Sequence, residues 1–119
     1  MDELFLELID VLGFPKTDRS QLEVIQKKLQ EVCNSSSLEV YLLDINSYNG
    51  AYYISPCIVE GTISNLTILK LLNIFTEVPL TIERVTHANE LLLQHKFPAS
   101  LESVELEDGS LKITITIGK

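Results

Sequence analysis

The stretch Asn65-Leu-Thr-Ile-Leu-Lys-Leu-Leu-Asn-Ile-Phe-Thr-Glu77 decides how this chain must pack. At about 100° per residue, its apolar side chains point in nearly every direction around a helix. Only Lys70, Asn73 and Glu77 share a narrow polar strip, at spacings i, i+3 and i+7. A helix that is apolar on all sides must be covered on all sides.

A chain of 119 residues has little material for that cover. A sheet and flanking helices would cover part of the apolar helix, and one side is left for another subunit. The sequence therefore favours self-association into a homodimer through this helix. The residues predicted to form the contact are Leu66, Leu71, Ile74 and Phe75.

Two amphipathic helices are predicted before this stretch, over residues 2–12 and 19–33. The first should end at Gly13, which we expect to take the left-handed conformation that often ends a helix. The second should open at Asp18 as N-cap, with Gln21 as its capping-box partner.

The dipeptide Asn49-Gly50 predicts a β-hairpin with strands at 38–47 and 51–59, because both positions of a two-residue turn favour residues that tolerate φ > 0. Both faces of these strands carry apolar residues, so we expect them inside a larger sheet. Pro56 predicts a bulge or an unpaired edge nearby. The expected pairs are Ile45 with Ile54, Tyr41 with Ile58, and Val40 with Val59.

A second hairpin is predicted around Asp108-Gly109, with strands at 103–107 and 110–117. Residues 110–117 alternate apolar and polar, which predicts one buried and one wet face. The expected pairs are Leu106 with Leu111, Val104 with Ile113, and Glu105 with Lys112.

Residues 81–95 lie between the apolar helix and the second hairpin, and they are predicted to form a helix from Glu83 to Gln94. A short strand at Leu80–Arg84 with a helix from Thr86 is the alternative. The element order is then ααββααββ, a single α+β domain over residues 1–119 in which two antiparallel hairpins form a mostly antiparallel sheet.

The net charge of −8 argues against direct binding of nucleic acid or anionic membranes, which need clustered Lys and Arg. Residues 1–60 hold 10 acidic against 4 basic residues, and residues 61–119 hold 7 against 5. Electrostatic recognition is therefore expected in the N-terminal half, and a basic protein would suit it.

A cytoplasmic location is expected from three features of the sequence. Asp2 and Glu3 have the wrong charge for the start of a signal peptide. No apolar run reaches the roughly 18 residues of a membrane span. Cys33 and Cys57 are predicted to be small buried hydrophobes in a reducing compartment rather than a disulfide or nucleophiles.

One group of polar residues has the spacing of a site. Glu83, His87 and Glu90 lie at i, i+4 and i+7, so a helix would place them in a narrow arc where they could bind a divalent metal or share a proton. An exposed polar face is the simpler interpretation. His95 is predicted to be a partly buried residue at the end of an apolar face. No catalytic, cofactor-binding or metal-binding residue is therefore assigned.

The sequence favours a small acidic, non-enzymatic interaction module, such as an adaptor, a chaperone or an inhibitor. A variant of this hypothesis is an anti-defence or immunity protein. The alternative class is a small ligand- or metal-binding domain or enzyme. The residues predicted to contact a protein partner lie on the first helix: Asp2, Glu3, Leu6, Glu7 and Asp10.

Overall fold

Pairs of helices alternate with pairs of strands along the chain. The structure is a computed structural model, and it describes residues 2–13, 19–36, 38–61 and 63–118. The elements are α1 (Asp2–Val11), α2 (Arg19–Asn34), β1 (Glu39–Tyr48), β2 (Ala51–Glu60), α3 (Asn65–Phe75), α4 (Ile82–Gln94), β3 (Ala99–Glu105) and β4 (Leu111–Ile117). The predicted α+β class and the order ααββααββ are confirmed. The predicted Asp18 cap lies outside the described residues.

The two hairpins form separate two-stranded antiparallel sheets, β1–β2 and β3–β4. The prediction of one joint sheet, with the first hairpin in its interior, is therefore wrong. The apolar residues on the outer side of the first hairpin face solvent instead of further strands: Tyr41, Tyr48 and Val59 are each more than half exposed.

The first hairpin turns as predicted. Asn49 and Gly50 both have positive φ, 51° and 78°, as a two-residue type I′ turn requires. Ile45 lies opposite Ile54, so the predicted register is confirmed beside the turn.

A bulge between Leu42 and Ile45 then shifts the register by one residue, and Leu42 pairs with Pro56. The irregularity predicted near Pro56 is confirmed. The two pairs predicted beyond it are wrong, because the extra residue on β1 shifts the partners of Val40 and Tyr41. A second irregularity, between Glu39 and Val40, then places Glu39 opposite Glu60. The observed pairs are Tyr41 with Cys57 and Val40 with Ile58.

The second hairpin has a different turn from the predicted one. Gly109 has φ 89°, whereas Asp108 is not in the left-handed region. The Leu106 N–H donates to the Ser110 carbonyl at 2.8 Å, and the Gly109 N–H donates to the Leu106 carbonyl at 3.0 Å. This is a three-residue loop that ends in a glycine bulge.

The longer loop moves the register by one residue and contradicts all three predicted pairs. The observed pairs are Val104 with Lys112, Ser103 with Ile113, and Glu105 with Leu111. Because a one-residue slip turns a strand over, Val104 lies on the solvent side, 61% exposed. The predicted alternation of β4 is confirmed at its centre, where Ile113 is buried.

The caps of α3 and α4 determine where these helices begin. Ser64 accepts a hydrogen bond from the Thr67 N–H at 3.2 Å and caps α3. Thr81 accepts from the Arg84 N–H at 3.2 Å. Helix α4 therefore starts at Ile82, and the alternative strand at residues 80–84 is excluded.

Helix α3 is covered by the chain's own elements, chiefly α2 and β4. Leu71 and Phe75 are 0% exposed and Ile74 is 3% exposed. A second copy is not needed to cover these three side chains, because four helices and two hairpins supply enough apolar surface within one chain. Self-association itself stays a prediction.

Gly13 follows α1 for a different reason from the predicted one. Its φ lies outside the left-handed region, and an added Cβ would lie 2.6 Å from the Tyr53 ring and 2.8 Å from the Tyr52 carbonyl oxygen. Gly13 is thus needed because β2 passes close to the backbone, not because the helix ends in a left-handed residue.

Candidate functional site

The outer face of α1 carries most of the residues predicted to contact a partner. Glu3 and Asp10 are exposed, whereas Leu6 and Glu7 are half-buried. Leu6 does not belong to the hydrophobic core, in which the other apolar residues of α1 are buried. The backbone of Asp2 is helical, and its side chain is outside the described part of the chain.

Helix α4 packs beside this face and brings His95 to it. The His95 Nε2 atom lies 3.5 Å from Oε1 of Glu7. One ligand atom each from Glu3, Glu7 and His95 lie within 4.8 Å of one another. We call these three residues the Glu3–Glu7–His95 cluster.

The position of His95 follows from how α4 ends. His95 is the C-cap, and the next residue, Lys96, has φ 56°. The Phe97 N–H donates to the Leu92 carbonyl at 2.9 Å and the Lys96 N–H to the Leu93 carbonyl at 3.0 Å. These bonds form a Schellman motif. The motif stops α4 at the point where the imidazole meets the first turns of α1.

The His95 Nε2 atom is buried and has no hydrogen-bond partner. It is the single buried side-chain nitrogen or oxygen in that state among the residues that the structure describes. Buried polar atoms in proteins are nearly always paired, so an unpaired one at a site needs a physical reason.

The carboxylates of α1 lack Lys and Arg partners in the described part of the chain. The ion pairs of Lys and Arg found there are Arg19 with Glu23 and Lys28 with Glu77, and the contact nearest to these carboxylates is that of Glu7 with His95. Although Asp10 is exposed, partial desolvation of its carboxyl and the nearby charge of Glu7 raise its pKa, and His87 on α4 partly opposes this. The face therefore carries negative charge that the described part of the protein does not neutralise.

The sequence spacing suggested a site formed by Glu83, His87 and Glu90. The structure does not bring these three side chains together as ligands of one ion. All three are exposed, and they are not among the described groups close enough to share an ion. Glu83 and His87 instead line a shallow hollow of about 460 Å³ that also contains Arg84, whose positive charge opposes cation binding. The simpler interpretation of an exposed polar face fits these positions.

His95 is half-buried at the end of α4, as predicted. Its contact with α1 was missed, because residues so far apart in sequence meet only through the packing of α1 on α4. The signals that could have suggested the cluster are the i, i+4 spacing of Glu3 and Glu7 and the histidine at the end of an apolar face.

The cysteines differ from each other. Cys33 is buried, and burial raises the pKa of its thiol, which keeps it protonated and unreactive. The prediction is confirmed for Cys33. It is wrong for Cys57, which is exposed because it lies on β2 opposite the exposed Tyr41, in a sheet that has two strands among the described residues.

Three of the four residues predicted for self-association are inside the protein. Leu71, Ile74 and Phe75 belong to the core, and only Leu66 is exposed, at 61%. In this fold, Leu71, Ile74 and Phe75 are therefore not accessible to a second copy, whereas Leu66 is.

None of the described helices is long and apolar enough to cross a membrane. Comparison with protein-family models, with curated proteins and with solved structures finds no match for this chain.

Proposed function

We propose that this protein is a small acidic, non-enzymatic interaction module that binds a basic protein partner through the outer face of α1. The observation that supports the proposal most is the set of carboxylates on that face, Glu3, Glu7 and Asp10. Among the described residues they have no Lys or Arg partner.

A basic partner would relieve an electrostatic cost that the isolated protein carries. Asp10 is harder to ionise than an ordinary aspartate because of burial and of Glu7. A Lys or Arg side chain placed between these carboxylates would favour their charged forms. Leu6 lies among them, half-buried and outside the core, and would add an apolar contact.

Long-range attraction points the same way. The excess of acid is concentrated in residues 1–60, with 10 acidic against 4 basic residues. Such a field speeds encounter with a basic surface, and salt weakens it over a Debye length of about 8 Å at physiological ionic strength.

A capture experiment with matched charge variants tests the proposal. The full chain is immobilised and exposed to native lysate as wild type and as the triple variant Glu3→Gln, Glu7→Gln, Asp10→Asn. The control variant, Glu60→Gln, Glu105→Gln, Glu107→Gln, has the same change in charge at exposed positions away from α1.

We expect wild type and control to capture the same basic protein, which salt elutes, and the α1 variant to lose it. Equal capture by the α1 variant would exclude α1 as the binding face. The identity of the captured protein then distinguishes the roles: a secreted client indicates a chaperone, whereas a nuclease or toxin indicates an inhibitor.

A further inference from the structure

In the Glu3–Glu7–His95 cluster, the atoms of Glu7 and His95 have the spacing of two ligands of one ion. Two ligands about 2.1 Å from a tetrahedral zinc ion lie roughly 3.4 Å apart. The observed distance from His95 Nε2 to Glu7 Oε1 is 3.5 Å, and this contact does not satisfy the geometry of a hydrogen bond. Glu3 lies nearby, since all three ligand atoms lie within 4.8 Å of one another. Two ligands of one such ion are at most roughly 4.2 Å apart, so the exposed Glu3 side chain would close on the ion by a small movement.

The Nε2 atom of His95 supports the same site. It is buried without a hydrogen-bond partner, although the His95 side chain as a whole is 18% exposed. An imidazole nitrogen and carboxylate oxygens can all bind one metal ion through their lone pairs. A cation between them would be bound by all three atoms at once. It would give the buried Nε2 atom the partner that it lacks among the described residues.

The charges favour the same occupant. Glu3 and Glu7 lie at i, i+4 on α1, where like charges repel across one turn of helix. A dication would cancel both charges. The mixture of one imidazole and two carboxylates matches zinc and related transition metals better than magnesium or calcium, which prefer oxygen ligands alone.

We infer that Glu3, Glu7 and His95 form a binding site for a divalent transition-metal ion of the zinc type, held between α1 and α4. Three protein ligands leave the fourth position of a tetrahedral ion free for water or for a partner side chain. The inference does not rest on the proposed interaction function, but both use Glu3 and Glu7, so a bound ion and a basic side chain of a partner would compete for these two carboxylates.

The experiment is a calorimetric titration of the chelator-treated full chain with ZnCl₂, and separately with MgCl₂. We expect one Zn²⁺ per chain and no heat of binding with Mg²⁺. His95→Ala and Glu7→Gln should each weaken Zn²⁺ binding by more than about tenfold, the lower end of the loss seen even when an outer-shell partner of a metal ligand is removed.

His87→Ala is the matched control, because it removes the same type of side chain from the same helix, outside the cluster. It should bind Zn²⁺ like the wild type. Circular dichroism verifies that each variant is folded. If His95→Ala does not fold, Glu7→Gln decides the question, since it preserves the size of the side chain.

The inference is overturned if wild type shows no stoichiometric Zn²⁺ binding, or if Glu7→Gln binds as tightly as His87→Ala. His95→Ala also separates this inference from the proposed function. It removes a metal ligand and keeps every carboxylate of α1, so a basic partner that binds those carboxylates should still be captured.

Discussion

At the scale of single residues, Gly13 shows how closely the backbone of β2 approaches the end of α1. An added methyl group would overlap the Tyr53 ring and the Tyr52 carbonyl. We expect Gly13→Ala to lower the free energy of unfolding by about 1–3 kcal/mol, the usual cost of overpacking. Urea denaturation measures this loss. In a Tyr53→Ala background the loss should be smaller, because only the carbonyl contact remains; the same loss in both backgrounds would contradict this explanation.

Asp10 provides a prediction about pH. Its raised pKa means that the folded protein holds this proton more tightly than the unfolded chain. Protonated Asp10 therefore stabilises the folded state. This contribution is complete below 3.8, the ordinary pKa of an aspartate, and is lost as the pH rises from there through the higher pKa of the folded protein. We therefore expect Asp10→Asn to be more stable than wild type at pH 7, and the advantage to shrink below pH 3.8. Thermal unfolding at a series of pH values measures it.

Asp108 is the control with the opposite sign. Hydrogen bonds from Ser110 lower the pKa of its carboxyl, so its contribution is present at neutral pH and is lost as pH falls through the folded pKa. Asp108→Asn should therefore lose stability relative to wild type at pH 7 and approach it in acid. A pH profile of the same sign for both variants would refute the assignment for Asp10.

At the scale of elements, Asn89 ties α4 to the outer edge of β3. Its amide donates to the Leu101 carbonyl at 2.8 Å, and its carbonyl accepts from the Leu101 N–H at 2.7 Å. Asn89 thus occupies backbone groups that a neighbouring strand would otherwise pair. Asn89→Ala should cost about 1–3 kcal/mol, because it leaves two backbone groups of a buried residue unpaired.

Denaturation and hydrogen exchange measure the effect of Asn89→Ala, and the Leu101 amide should exchange faster. Gln94→Ala, on an exposed position of the same helix, is the control and should stay within about 0.5 kcal/mol of wild type. Unchanged protection of the Leu101 amide in Asn89→Ala would show that the side chain does not hold this edge.

The two hairpins show what local sequence can and cannot predict. Both contain an X-Gly turn, but Asn49 adopts positive φ and Asp108 does not. The Asp108 side chain instead accepts from the Ser110 N–H and hydroxyl, which favours the longer loop. The existence of each hairpin follows from the dipeptide. The register depends on which competing hydrogen bond forms, and that is not encoded in the X-Gly pattern alone.

At the scale of the whole molecule, the candidate site depends on the contact between α1 and the end of α4, which are far apart in the sequence. The acidic face of α1 can be predicted from the sequence, because Glu3, Glu7 and Asp10 recur at helical spacing. The role of His95 is not, since it requires α4 to pack beside α1 and to stop at that residue. Local periodicity predicts faces, but the partner of a face is decided by the packing of the complete chain.

The burial of α3 allows a test of whether this helix belongs to the core of one chain or to an interface between two chains. Leu71 is 0% exposed and Leu66 is 61% exposed on the same helix. Leu71→Glu would place a carboxylate in the core, where an unpaired charge is very costly, so we expect this variant to lose its near-ultraviolet dichroism and cooperative unfolding. Leu66→Glu is the control and should remain folded.

Light scattering on the same samples tests the interface directly. Since α3 is covered within one chain, Leu66→Glu should have the same molar mass as wild type. A folded Leu71→Glu variant with half the mass of wild type would contradict this packing and restore α3 as a contact between subunits. A folded Leu66→Glu variant of lower mass would instead place an interface at the start of the helix, where Leu66 is the exposed apolar residue. The two substitutions therefore distinguish burial within the chain from burial between chains, because folding depends on Leu71 only if the chain's own elements cover this residue.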